Sequence, residues 1–253
     1  MSLRARLEAD ETVYTAWSAI PDPLIAELLA RAAYDAVTLD MQHGGHSTES
    51  ILRGVAAVTL AGKPAIVRVP VGRNDMASRA LDFGAAAVIA PMVNSREEAR
   101  AFAAAMKFPP TGERSWGPTR TLTLHRQPDP QAYLRSANRD TLAIAMVETR
   151  AALAALDEIL GFEGIDGVFV GPSDFSIAFS DGARVDAGNA EMLKAAEDVA
   201  RRTRAEGKVA CAFAMTPDAA RRFRDMGFRL IAVGSDWECL ARGAASLLAG
   251  LKG

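Results

Sequence analysis

Eight short apolar runs, each followed by a turn and an Ala-rich amphipathic stretch, recur along the chain and constrain its fold more than any other feature. The runs are TVYTAWS (12–18), DAVTLD (35–40), PAIVRV (64–69), AAVIAP (86–91), TLAIAMVE (141–148), IDGVFVG (165–171), KVACAFA (208–214) and FRLIAVG (228–234). Their apolar residues run on instead of alternating with polar ones. That pattern suits strands buried on both faces, as in a parallel sheet. Helical patterns separate them at 22–32, 47–61, 74–83, 95–106, 149–160, 190–206, 217–226 and 235–250. Asn74, Ser95 and Ser235 stand where helix N-caps are expected, and Gly84, Gly161, Gly207 and Gly227 fit helix C-termini. Eight β-then-α units of this length predict an α/β fold of the (β/α)₈ TIM-barrel type in preference to a doubly wound sheet. Residues 1–253 read as a single barrel domain.

Residues 107–140 break the rhythm with KFPPTGERSWGPTR and a polar stretch containing QPDPQAYL. The segment is too long for a plain connection. Two readings stay open: a covering loop with a short helix at 129–138, or a functional or interfacial insertion.

Composition excludes several classes of function. The chain is 49% hydrophobic and 24% charged with a net charge of −2 and no long run of one sign, so electrostatics offer no case for nucleic-acid or membrane-surface binding. The apolar stretches are interrupted before a spanning length, and the charged start MSLRARLEADE has no apolar signal core. Cys211 and Cys239 are too few for a disulfide framework or a zinc cluster and are expected as buried thiols in a reducing cytosol.

Barrels carry their chemistry at the C-terminal ends of the strands. Glu148 and Asp174 end consecutive strands and should converge on one point. Taken singly, each also suits a helix start, where a carboxylate is stabilised by the helix dipole or by capping. As a pair without Cys or His, two hard oxygen ligands suit Mg²⁺, Mn²⁺ or Co²⁺, with water and substrate oxygens completing the shell. A 2-oxo acid could chelate such an ion through its keto and carboxylate oxygens. Arg68, in an otherwise apolar strand, needs an anion: a structural carboxylate, or the carboxylate or developing enolate of a substrate. His43, in the turn MQHGGHS, is a candidate general base, with His46 as its competitor. Main-chain N–H groups of the Gly171–Ser173 turn could receive a carboxylate.

LDMQHGGHS, VRVPVGRND, VETRAAL and GVFVGPSDFS, in this order, closely resemble motifs of the HpcH/HpaI aldolases, the metal-dependent pyruvate aldolases of the 4-hydroxy-2-oxoheptanedioate aldolase type. The resemblance covers nearly the whole chain. It implies a class II aldolase that makes and cleaves 4-hydroxy-2-oxo acids from pyruvate or hydroxypyruvate and an aldehyde. It also implies a cytoplasmic homo-hexamer, a dimer of trimers with C-terminal helices exchanged between subunits. Carried onto this sequence, Glu148 and Asp174 hold the divalent metal ion, Arg68 stabilises the enolate and His43 is the base. Gly171 and Ser173 offer main-chain groups to the substrate. Asp82 falls where the family places an Asp that raises the basicity of that histidine.

The chain departs from the family pattern at Met146, where relatives carry Gln, at Gln42, where Glu is common, and at Ser173, where Ala is common. Phe213 would make the aldehyde side bulky and apolar. Two other readings share the barrel: a citramalyl-CoA-type acyl-CoA lyase, which needs a basic surface for the nucleotide, and a non-catalytic metal–oxo-acid binder.

Overall fold

The computed structural model describes residues 1–251. In chain order its elements are α1 (Leu3–Glu8), β1 (Val13–Ser18), α2 (Pro23–Arg31), β2 (Ala36–Asp40), α3 (Thr48–Leu60), β3 (Ala65–Arg68) and α4 (Asn74–Phe83). These are followed by β4 (Ala87–Ala90), α5 (Arg96–Met106), α6 (Thr119–Leu124), α7 (Pro130–Asp140), β5 (Leu142–Met146), α8 (Arg150–Ala154) and α9 (Leu156–Leu160). The chain ends with β6 (Gly167–Val170), α10 (Pro172–Phe179), α11 (Ala190–Ala205), β7 (Val209–Ala214), α12 (Pro217–Asp225), β8 (Leu230–Ser235) and α13 (Asp236–Leu248). All eight strands are parallel; each pairs with the next, and β8 closes on β1. This is the predicted (β/α)₈ barrel.

Continuous apolar runs are needed because both faces of every strand are covered. One set of side chains, including Val37, Val67, Val88, Ala143 and Val168, packs outward against the helices. The alternate set, including Ile66, Ile89, Ile144, Phe169 and Cys211, fills the interior. Leu3 and Leu7 of α1 join that inner cluster and stopper the N-terminal end of the barrel. The strand period then aims the site. Arg68 lies two residues beyond inward-facing Ile66, and Glu148 two beyond inward-facing Met146.

Local chemistry sets most helix ends. Ser95 and Ser235 cap α5 and α13, the latter in a capping box with Glu238. Gly84 ends α4 at φ 109, a left-handed conformation that favours glycine. Asn74 is not a cap: it is the first residue of α4, and Arg73 precedes it without a side-chain capping bond. The expected helix at 149–160 is split at Ala155 into α8 and α9, and α1 and α6 were not expected as separate helices. The helix start expected around Asp174 is that of α10, which begins at Pro172. Cys211 is buried but Cys239 is exposed, against the expectation of two buried thiols. No helix of the described residues is long and apolar enough to cross a membrane.

The segment 107–140 contains α6 and α7 and is pinned at its start. Lys107, only 2% exposed, donates to Asp166 at 2.6 Å and to the carbonyls of Asn138 and Thr141 at 2.8 Å.

Candidate active site

β2 and β3 deliver Asp40 and Arg68 to the same height at the C-terminal end of the barrel, as register partners. Arg68 Nε donates to Asp40 Oδ1 at 2.8 Å and Nη2 to Oδ2 at 2.6 Å. The indole of Trp17, on β1, donates to Oδ2 at 3.2 Å, and its ring lies 4.8 Å from the guanidinium carbon. Asp40 also accepts main-chain N–H groups from Gln42 at 2.9 Å, His43 at 3.4 Å and Gly44 at 3.1 Å. Burial opposes its charge, but Arg68, the Gln42 N–H and the Trp17 indole together outweigh burial and hold the Asp40 carboxyl below its ordinary pKa. Among the described residues, Arg68 Nη1 has no protein partner, and Arg68 lines a cavity of about 310 Å³ at this end of the barrel. A structural carboxylate is one of the two anions the sequence offers for Arg68, and Asp40 supplies it. The sequence singles out neither Asp40 nor Trp17, although the strand-end rule that selects Glu148 applies equally to Asp40.

Glu148 is 1% exposed and is not itself among the cavity's lining residues, but it adjoins Gly171, which is. Its Oε1 accepts the main-chain N–H of Met92 at 3.0 Å, and its Oε2 is buried without a partner. Burial pushes its pKa up to about 7; the Met92 N–H and Arg68 pull the other way, and the negative charge of Asp174 adds to the rise. Asp174 lies in the first turn of α10, exposed, and lines the cavity. Gly171 makes room for Glu148: a Cβ there would stand 2.5 Å from Oε2.

A divalent cation fits this donor set. Cation binding would give the orphaned oxygen a partner and relieve the repulsion between two carboxylates. Among the described residues no group of three or more His, Cys, Asp or Glu side chains is placed to hold an ion. Two carboxylates alone do not fill a divalent cation's shell, so the Glu148–Asp174 pair would leave positions for water and substrate oxygens.

The other predicted residues divide. His43, exposed, lines the cavity. His46 does not compete with it: it is 6% exposed and held between the Ser18 and Ser50 hydroxyls, each at 3.1 Å. Gly171, Ser173 and Phe213 line the cavity, as does Met146. Phe213 packs edge-on against Trp17 with ring centroids 5.4 Å apart. Asp82 does not line the cavity. It sits on α4, where Arg114 donates to it at 2.7 Å, and burial raises its pKa despite that partner. Among the described residues, no lysine lines the cavity.

Residues 14–242 match the family described as HpcH/HpaI aldolase/citrate lyase. The chain is 36% identical to the hydroxypyruvate/pyruvate aldolase of Roseovarius nubinhibens over 98% of its own length and 95% of the relative's. It superposes on an HpcH/HpaI aldolase/citrate lyase family protein of Burkholderia cenocepacia with a TM-score of 0.88, 28% identity and 99% coverage of both chains. A more distant barrel, the citrate lyase β subunit of M. tuberculosis, was solved with oxaloacetate and magnesium. That chain is 19% identical, with a TM-score of 0.56 over 90% of this chain and 93% of that one.

Fold, site and relatives define an enzyme of the aldolase-type lyase class. The chain belongs to the HpcH/HpaI aldolase/citrate lyase family.

Proposed function

We propose that this lyase joins pyruvate or hydroxypyruvate to an aldehyde, and cleaves the resulting 4-hydroxy-2-oxo acid, as a class II aldolase. The observation that carries the reading is the buried, partnerless Oε2 of Glu148 beside Asp174 and Gly171, in a barrel mouth that also holds Arg68. Glu148 and Asp174 would hold a divalent cation such as Mg²⁺, Mn²⁺ or Co²⁺, which would supply Lewis-acid chemistry for the oxygens of the 2-oxo acid. The name of the Roseovarius relative supports the donor class.

The chain's own residues divide the work. Arg68, its fork fixed by Asp40 and Trp17, offers Nη1 to the oxygen that becomes negative. Main-chain groups of Gly171 and Ser173 at the start of α10 receive the substrate carboxylate. His43 takes a proton from C3 of the donor, and C3 then forms the new bond to the aldehyde carbon, whose oxygen is protonated. Retro-aldol cleavage runs these transfers backwards. Asp82 supports His43 in this proposal only as the family resemblance implies. Trp17, Met146 and Phe213 give the cavity an apolar wall suited to the aldehyde side.

The oligomer is also proposed. Apart from Asp236, α13 buries none of its residues in a single chain, and Trp237, Leu240 and Leu247 are 65%, 56% and 81% exposed. Such an apolar face supports a homo-hexamer with exchanged C-terminal helices. The two cysteines, unpaired with each other, accord with a cytoplasmic location.

The test is an aldol assay with hydroxypyruvate or pyruvate and a small aldehyde. EDTA abolishes product formation and Mn²⁺, Co²⁺ or Mg²⁺ restores it. Full activity after exhaustive chelation, or a borohydride-trapped lysine adduct, overturns the mechanism.

A further inference from the structure

The segment after β4 is tied to the segment after β5 by a closed ring of contacts through Glu148. Met92 has φ 54, a left-handed conformation uncommon for a residue with a side chain. In that conformation its N–H reaches Glu148 Oε1 at 3.0 Å. Asn94 stands where it can hold Met92 there, because its side-chain amide donates to the Met92 carbonyl at 2.8 Å. The side-chain oxygen of Asn94 accepts the hydroxyl of Thr149, the residue that follows Glu148. Between them, Val93 N–H donates to the Met146 carbonyl at 3.1 Å. Met92, Asn94, Thr149 and Glu148 thus close a circuit in which each group limits the movement of the next.

We propose that Asn94 is a positioning residue for the cation site. By locking Met92 it occupies Oε1 of Glu148 and presents Oε2, and so sets the protein's affinity for a divalent cation. This rests on the reading of Glu148 and Asp174 as the cation's ligands. The physical reason is general: partners that hold a ligand's second atom fix its direction, and losing them typically weakens metal binding about 10–100-fold. Both bonds of the side chain run to the neighbours of Glu148, one to the Met92 carbonyl and one to the Thr149 hydroxyl. The start of α5 is secured instead by the Asn94 main-chain N–H on Glu98 and by the Ser95 cap, which side-chain replacement leaves in place.

The experiment is titration of the full-length protein with Mn²⁺, followed by calorimetry or by the spin-resonance signal of the free ion, with thermal unfolding in parallel. Asn94→Ala weakens binding about 10–100-fold. Asn94→Asp, equal in size but unable to donate to Met92, also weakens it. Thr149→Ser, which keeps the hydroxyl, stays within about twofold of the parent. The Mn²⁺ concentration for half-maximal pyruvate proton exchange rises in step with the dissociation constant, while the rate at saturating Mn²⁺ recovers. Parental affinity in both Asn94 variants, with binding lost in Glu148→Gln, overturns the positioning role alone. Parental affinity in Glu148→Gln removes the cation reading and this inference with it.

Discussion

Asp40 and Arg68 are register partners on neighbouring strands and close a two-point ion pair of 2.6 and 2.8 Å at the mouth of the barrel. The pair fixes the plane of the guanidinium, and Asp40 simultaneously gathers the N–H groups of the loop that carries His43. One carboxylate therefore orients both the proposed electrophile and the proposed base.

Arg68→Lys keeps the charge but loses the planar fork and the stacking on Trp17. In the proposed reaction its kcat falls about 10²–10³-fold, as when one preorganised donor is removed from an oxyanion site. Asp40→Ala leaves a nearly buried guanidinium without its acid and destabilises the fold by about 3–5 kcal/mol in urea unfolding. Wild-type kcat in Arg68→Lys would remove Arg68 from the chemistry.

Stability in EDTA depends on pH through Glu148. Its pKa is raised from 4.5 to about 7 in the folded protein, so the folded state holds this proton more tightly than the unfolded chain does. The contribution is fully present below about pH 4.5 and is lost as pH rises through about 7, a loss of about 3 kcal/mol for this group. Glu148→Gln flattens that part of the profile. Equal slopes for the two proteins between pH 5 and 8, measured by denaturant unfolding at about half-unit steps, would contradict the burial argument.

Gly171→Ala tests space rather than backbone strain, because φ is −90 and any residue accepts it. The new Cβ meets Glu148 Oε2 at 2.5 Å and Met146 Cε at 3.2 Å, so the carboxylate must move. Mn²⁺ binding weakens by about tenfold or more while the barrel remains folded. Circular dichroism with a Mn²⁺ titration checks both halves.

Lys107→Met removes a buried ammonium from Asp166 and from two carbonyls that tie the 107–140 segment to the barrel. Asp166 keeps Arg4 and the Ala143 N–H, which limits the damage. The expected cost is about 3 kcal/mol of unfolding free energy with an unchanged KM for the 2-oxo acid. A changed KM with unchanged stability would assign the anchor to the site instead.

The eight strands were legible because burial on both faces leaves a run of apolar residues that no half-exposed strand shows. Capping serines and the glycine at 84 marked their boundaries for local reasons. Short helices such as α1 and α6 were not legible, since six residues carry too little periodicity to separate from a turn. Asp40 was not legible as the partner of Arg68, because the register of β2 on β3 that sets them side by side belongs to the assembled sheet.

The amino-acid sequence by itself determined the barrel and the placing of Glu148, Asp174, Arg68 and His43 at strand ends, because strand period and strand order are properties of the chain. Tertiary structure decided what those groups meet. It buried His46 between two serines and left His43 at the cavity, and it paired Arg68 with Asp40. It held Asp82 on Arg114, away from the cavity, and left one Glu148 oxygen buried without a partner. Those outcomes depend on distances between residues far apart in the chain, and the pattern of apolar and polar residues along it does not encode them.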